Sequence, residues 1–453
     1  MKPLAVPVKR HAALLLVLAL AGCALPPPAG VDVRPLPRAE EAPSIGADEK
    51  PSDPAEALER HLAALKTAPS SPLSRGNDAQ LLVDGPKTHQ AMFAAMERAR
   101  DHINLETYIL EDGEIGERLA RLLEKKIGQG VKVNVLYDGV GSIATPPAYF
   151  DRLKKIGAHV CEFNPVNPAK AAGGWELNNR NHRKILVVDG RVAFTGGINI
   201  SSAYSAGSRA NRRASQVKRG EDSAKGWRDT HVRAEGPVVT RFQRLFLDGW
   251  ALEDCGAAVE ANYFPRLQEE GRKTMRVLSS DPGTEKSEMY GALLAAIGAA
   301  RHRVWLTVGY FVPDPQTRQA LMDAAHRGVD VRLMLPGFSD FWAPIYAGRA
   351  NYSELLGAGV RIYEWDTALM HAKTAVIDSV WSSVGSTNLD WRSFVHNYEA
   401  DLVLYDAAFA RELERLFRQD VAASVEVKPG QWKKRGALER AKEWFAKQWE
   451  YLL

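Results

Sequence analysis

Apolar residues recur along this chain in two rhythms, one helical and one alternating, and the same succession of rhythms occurs twice. Residues 88–100 carry apolar positions at helical spacing, and residues 103–109 (INLETYI) then alternate as a strand does. The pattern next predicts a helix over 114–129 ended by glycine, a strand over 131–138, a helix over 149–156 stopped by Gly157, and a strand over 158–163. Further along, 292–301 reads as helix, 304–308 as strand, 316–327 as helix, 328–335 as strand and 352–356 as helix, and a strand runs to Tyr363. The folded region is predicted to begin near residues 80–85. Helix and strand alternate in the same order in both halves, which implies an internal duplication of a domain-sized α/β unit.

Each run leads into the same short constellation. In the first half it is His182, Lys184, Asp189, then the pair Gly196-Gly197 and Asn199. In the second it is His371, Lys373, Asp378, then Gly385 and Asn388. Residues 182–188 suit a strand, on which alternate side chains share a face, so His182 and Lys184 point together with Arg183 opposite. His371 and Lys373 do the same around Ala372. The strand 192–195 and its glycine turn are expected to bring Asn199 back toward them. An imidazole beside a fixed cation and an amide donor suits a phosphoryl centre.

These paired motifs resemble those of the phospholipase D superfamily. That resemblance implies an α/β fold in which two mixed β-sheet domains, flanked by helices, meet at a pseudo-twofold interface and build one active site. It narrows further. Trp227-Arg228-Asp229-Thr230-His231-Val232 with Gly236-Pro237, the run 310–314 (YFVPD), residues 385–393 (GSTNLDWRS) and Asn397-Tyr398-Glu399 are similar to segments of bacterial cardiolipin synthases, and the similarity runs from about Leu82 to the C-terminus. The resemblance implies a two-step phosphatidyl transfer. His182 would attack phosphorus and form a phosphohistidine; His371 would protonate the leaving alcohol and then activate the incoming one. The reverse assignment uses the same residues. Lys184 and Lys373 would hold non-bridging oxygens, with Asn199 and Asn388 donating to them. Asp229 is expected to orient His182, and Glu399 to orient His371, while the motif acids Asp189 and Asp378 stabilise the local turn and charge network. No metal or cofactor is expected, since two lysines supply fixed positive charge. The expected reaction joins two phosphatidylglycerols, or one and another phospholipid, with release of the head-group alcohol. Three alternatives stay open: a hydrolytic phospholipase D, a phosphodiesterase acting on nucleic acid, and a non-catalytic lipid-binding lipoprotein.

The ends of the chain and its charge bear on where this chemistry happens. Residues 1–22 read as a secretory signal whose apolar run ends at Leu20-Ala21-Gly22-Cys23, a bacterial lipoprotein-type box. Cys23 would become the lipidated first residue, and Ala24 after it favours the outer membrane, facing the periplasm. Residues 23–72 are expected to form a Pro/Ala-rich tether containing a short helix over 56–68. The domains are expected at 73–265 and 266–430, with an amphipathic helix over 431–453 that either lies on a membrane interface or packs on the body. The formal charge is +4, with 59 basic and 55 acidic residues; without Lys2, Lys9 and Arg10 the balance is 59 − 3 = 56 against 55. A nearly neutral protein does not call for a nucleic-acid partner. Cys161 and Cys255 are expected as two buried thiols. Two insertions distinguish the halves: 166–180 before the first motif, and 201–226 after it, a basic loop with Arg209, Arg212, Arg213, Lys218 and Arg219 that suits anionic head groups.

Overall fold

The structure is a computed structural model that describes residues 53–64, 71–167, 178–207, 226–282, 287–339 and 341–452. The signal, Cys23, Ala24 and the basic part of the 201–226 insertion lie outside the described residues.

Helix α1 (Pro54–Ala64) precedes the first unit, which runs β1 (Ser74–Val83), α2 (Asp84–Glu97), β2 (His102–Thr107), α3 (Glu114–Ile127), β3 (Lys132–Asp138), α4 (Pro147–Lys155), β4 (His159–Phe163), β5 (Ile185–Val188), β6 (Val192–Gly196), β7 (Thr230–Glu235) and α5 (Val239–Leu252). The second unit runs β8 (Lys273–Ser280), α6 (Glu288–Ala299), β9 (Arg303–Thr307), α7 (Pro315–His326), β10 (Asp330–Pro336), α8 (Trp342–Arg349), α9 (Tyr352–Gly357), β11 (Arg361–Trp365), β12 (Thr374–Ile377), β13 (Trp381–Gly385), β14 (Asn397–Tyr405) and α10 (Ala407–Ala422). Helix α11 (Ala437–Lys447) follows. The expected boundary at 265/266 falls in the irregular segment between α5 and β8.

Strand order makes the duplication explicit. Within the first unit it is β4-β3-β2-β5-β6-β7-β1, and within the second β11-β10-β9-β12-β13-β14-β8. In both, the pairs among the first three strands are parallel and the rest antiparallel. The two sheets join into one through an antiparallel β1–β8 pair, with Ser74 opposite Met275. The two mixed sheets of the expected duplicated α/β fold thus meet edge to edge, as one continuous sheet across the pseudo-twofold axis.

Alternation along each strand fills both faces. On β5, Leu186 and Val188 pack under α2 to α4 with Phe93, Leu119 and Leu123. Ile185 and Val187 face the opposite way, into a core shared by Phe242 and Leu245 of α5 with Phe409, Leu413 and Phe417 of α10. That core spans the two units and fixes one against the other; burying side chains of this size stabilises by roughly 1.5–3 kcal/mol each. Helix starts follow their sequence signals. Asp314 accepts from the amides of Gln316 and Thr317 ahead of Pro315 at the head of α7, and Asp406 does the same for Phe409 at α10.

Three sequence expectations change here. Cys161 and Cys255 are not free thiols but a disulfide with Cα atoms 5.7 Å apart. It ties β4 to the end of α5 beside Phe163, Phe246 and Trp250. Residues 54–64 of the expected tether form a docked helix. Its His61 Nε2 lies 3.2 Å from Asp378, and Arg60 donates to the same carboxylate at 3.0 Å. Finally, α11 packs on α8, but through its charged side.

Candidate active site

Each motif histidine sits where a short segment of its own unit is captured by the other unit. Arg180-Asn181 pairs in parallel with Asn397-Tyr398 at the start of β14, and the His182 amide donates to Tyr398 O at 2.9 Å. Leu369-Met370 pairs in parallel with Trp227-Arg228, and the His371 amide donates to Arg228 O at 2.8 Å. Neither His-x-Lys lies in a long strand, contrary to the sequence expectation. The approach strand ends before the histidine, and the next strand begins at the lysine's successor, Ile185 or Thr374. The two side chains still work together, because each lysine ammonium folds back onto the carbonyl of its histidine, at 2.6 Å for Lys184.

The same crossing governs the imidazoles. His182 Nδ1 donates to both carboxylate oxygens of Glu399, at 3.0 Å, and His371 Nδ1 donates to Asp229 at 2.7 Å. The expected partners are therefore exchanged: Glu399 orients His182 and Asp229 orients His371. In each pair the carboxylate comes from the opposite unit: Glu399 lies on β14, and Asp229 just before β7. With Nδ1 protonated, both Nε2 atoms keep a lone pair for chemistry. The four motif side chains converge, since His182 feels the charges of Lys184, Lys373 and His371.

Burial pushes His182 well below its usual range, and Lys184, Lys373 and His371 push the same way. Burial and Lys373 bring His371 down to about 4, opposed by Asp229. Asp229 stays below the usual carboxylate range: burial opposes this, but His371 and Lys373 outweigh it. Glu399 differs, because burial raises it to about 7 against the pull of Lys184. Ser386 Oγ at 2.5 Å and Asn397 Nδ2 at 3.2 Å donate to it. Of the two imidazoles, His371 thus faces the carboxylate that is held ionised, and that charge favours its protonated form.

Aromatic side chains wall the site unequally. Tyr108 stands edge-on to His182 at 5.1 Å and under the Lys184 ammonium at 5.2 Å. The equivalent place in the second unit is Gly309, where a Cβ would lie 3.1 Å from Lys373 Nζ. His371 instead meets Trp227 at 4.8 Å, Tyr310 at 6.1 Å and Tyr204, whose Oη lies 3.4 Å from Nδ1. Sequence reasoning passed over Tyr108, Tyr204, Trp227 as a wall residue and Ser386. The signal available was position: Tyr108 and Gly309 follow equivalent strands, and Ser386 stands where the first motif has Gly197.

Asn199 and Asn388 do not have free carbonyl oxygens at the site. Asn199 Oδ1 accepts from the Ile109 amide at 3.0 Å, and its Nδ2 donates to Tyr204 Oη at 3.1 Å. Asn388 Oδ1 accepts from the Tyr310 amide at 3.2 Å. Both hold the loop that carries an aromatic wall. Asp189 and Asp378 sit at the far ends of β5 and β12, on turns with φ of +52° and +49°. Asp189 accepts from the amides of Arg100, Asp101 and His102, and Asp378 from those of Arg301, His302 and Arg303. They clamp the starts of β2 and β9 and do not bond to His182 or His371.

The family described as "Cardiolipin synthase, PLD-like domain" matches residues 92–212 and 293–421, one stretch per unit. The chain belongs to this cardiolipin synthase family. It is 35% identical over 374 residues to a cardiolipin synthase of Listeria monocytogenes serotype 4b, which covers 82% of this chain and 74% of that protein. It is 36% identical over 352 residues to a cardiolipin synthase of Geobacillus kaustophilus, 77% of this chain and 67% of that one. The fold is that of a phosphatidylserine synthase from Haemophilus influenzae, with a TM-score of 0.60 over 87% of this chain and 100% of that one at 12% identity.

Proposed function

We propose that this cardiolipin synthase family enzyme passes the phosphatidyl group of one phosphatidylglycerol to a second one, by way of His182. The observation that carries the reading is the crossed pair of histidine–carboxylate contacts, with both lysines at one centre. His182 Nε2 attacks phosphorus while His371, protonated, gives its proton to the departing glycerol oxygen, so a P–N bond forms and a P–O bond breaks. Next, His371 takes the proton of the hydroxyl of a second phosphatidylglycerol. That oxygen displaces His182 from phosphorus, giving cardiolipin and the free imidazole. One glycerol is released and no outside energy source enters. Lys184 and Lys373 stabilise the charge that grows on the non-bridging oxygens. The ionised Asp229 bonded to His371 supports its acid/base role and leaves His182, neutral, as nucleophile. The unequal walls support different treatment of the donor and acceptor lipids.

The N-terminus belongs to the same reading. Lipidation at Cys23 would hold the enzyme at an envelope membrane facing the periplasm, the outer one by the Ala24 rule. The Cys161–Cys255 disulfide supports an oxidising compartment of this kind. Cys23→Ser should abolish incorporation of labelled acyl chains and release the protein from the membrane fraction; unchanged labelling would overturn the anchor.

The function is tested with phosphatidylglycerol vesicles and His182→Ala as the blank. Cardiolipin with free glycerol is the expected result. Phosphatidate and glycerol without cardiolipin would make the enzyme a hydrolase. No product above the blank would overturn the reading.

A further inference from the structure

Helix α11 is amphipathic, and it is mounted the wrong way round for a soluble protein. At helical spacing Glu439, Lys442, Glu443 and Lys447 share one face, and Leu438, Ala441, Trp444 and Phe445 share the other. Burial of the apolar face is the ordinary outcome. Here Glu443 is 3% exposed, whereas Leu438 is 69%, Trp444 67% and Phe445 48% exposed.

The charged face is satisfied partly within the C-terminal segment and partly by the body. Arg435 donates to Glu443 at 2.9 Å, Lys442 to Glu439 at 3.0 Å and to Tyr346 Oη at 3.4 Å, and Lys447 to Asn351 Oδ1 at 3.2 Å. These contacts set α11 beside α8 with the two helices running the same way. The start of α8 then lies level with Leu438, and there Phe341 and Trp342 are themselves 49% and 51% exposed. An exposed apolar patch of this kind marks an interaction site.

We infer that this patch is a docking surface for an anionic phospholipid bilayer, held beside the loop whose Tyr310 stands against His371. The inference rests on the reading of the substrate as a membrane phospholipid. Three observations select a bilayer as the occupant. Tryptophans and a tyrosine ringed by cations are the composition of an interfacial segment. Residues 431–453 hold six Lys/Arg and three Glu, a balance of 6 − 3 = +3. Two of those glutamates are already paired, while Lys433, Lys434 and Arg440 are exposed. A second copy of the chain on a twofold axis would set these cations against themselves; an anionic surface welcomes them.

The patch is also fastened to the catalytic loops. Ala446 packs on Val312, two residues beyond Tyr310, whose ring stands edge-on to His371. Tyr451 meets Trp391 at 5.1 Å, next to Arg392 of the second motif's trailer. A recess lined by Gly309, Tyr310, Phe311, Pro344 and Ile345 lies between the site and α8.

The test uses the full chain carrying Cys23→Ser and Trp444→Cys, so that an environment-sensitive fluorophore reacts at position 444 while Cys161 and Cys255 stay paired. A blue shift is expected on adding phosphatidylglycerol/phosphatidylethanolamine vesicles. No shift is expected for the same label at Glu124→Cys, on exposed α3. The pair Trp444→Gln with Phe445→Gln should lower turnover of vesicle phosphatidylglycerol about tenfold or more, roughly tenfold per 1.4 kcal/mol of lost docking. Turnover of dispersed short-chain phosphatidylglycerol should not change. No shift at 444 would overturn the proposal, as would equal loss on both lipids. A shift that needs no vesicles and follows dimer formation would assign the patch to a second copy instead. A wild type inert on both lipids that still shows the shift keeps the docking and overturns the substrate reading.

Discussion

Replacing Asp229 by Asn removes the charge bonded to His371 and leaves the Glu399 contact of His182 in place. Two unit charges about 4 Å apart at an effective dielectric near 20 interact by about 4 kcal/mol, and each 1.36 kcal/mol is one pKa unit. Losing that attraction lowers the proton affinity of His371 by roughly two to three units, so the step in which it donates should slow about 100- to 1,000-fold. The perturbation is specific to a step, which makes it informative. A donor whose head group leaves without protonation, such as a phosphatidyl p-nitrophenol, bypasses His371 in the first step. For Asp229→Asn, release of p-nitrophenol should therefore stay within about tenfold of wild type, while transfer to phosphatidylglycerol remains slow and the phosphohistidine accumulates. Glu399→Gln perturbs the nucleophile and should slow both donors alike. Acid-quench trapping of the phosphoenzyme and absorbance of p-nitrophenol read the two steps. Equal losses on both donors for Asp229→Asn, or rescue of Glu399→Gln by the good leaving group, would refute both the role assignment and the crossing on which it rests.

Burial holds Lys184 at about 7, opposed by Glu399. The free enzyme's cation is present below that pH and lost above it, so kcat/KM should fall as pH rises through about 7, while kcat, measured with the phosphate bound, falls at higher pH. A kcat/KM profile flat from pH 6 to 9 would count against Lys184 as a phosphate holder. Asp189→Ala removes three amide hydrogen bonds to a carboxylate, one exposed and two part-buried, and should cost about 1–3 kcal/mol of stability, seen as a lower urea midpoint with kcat per folded site nearly unchanged. Burial opposes the lowered pKa of Asp378, but His61 and the amides of His302 and Arg303 prevail. The stability from this contact should be complete above about pH 4 and fade as acid approaches the lower folded value; His61→Ala should weaken that acid dependence in thermal melts. Reduction of Cys161–Cys255, which closes a span of 94 residues, should cost about 2–5 kcal/mol, and Cys161→Ser with Cys255→Ser should make the melting temperature insensitive to dithiothreitol.

The sequence makes the duplication legible because period-two and period-3.6 patterns survive divergence: β2-α3-β3 and β9-α7-β10 were both visible as rhythm. The His-x-Lys pairs were legible through their repeated spacing. The exchange of Asp229 and Glu399 was not, because each acid lies nearest in sequence to the motif of its own half, and chain proximity says nothing of a symmetry axis that sets each against the other. Cys161 and Cys255 lie 94 residues apart, beyond any local signal. The periodicity of α11 was plain, but periodicity gives two faces without saying which one the body takes. Asp189 was visible as a motif member, and only the turn geometry separates a backbone clamp from a reacting group.

The crossing of histidine and carboxylate has a consequence for symmetry. Two identical units related about the β1–β8 axis would each have its histidine steadied by the neighbour's acid, and such a site would be forced to treat both lipids alike. A single chain carrying both units is free of that constraint. Its units differ at the site, where Tyr108 answers to Gly309 and Asp229 to Glu399. A chain severed between α5 and β8 should yield two inert fragments, with activity returning only when both are folded together.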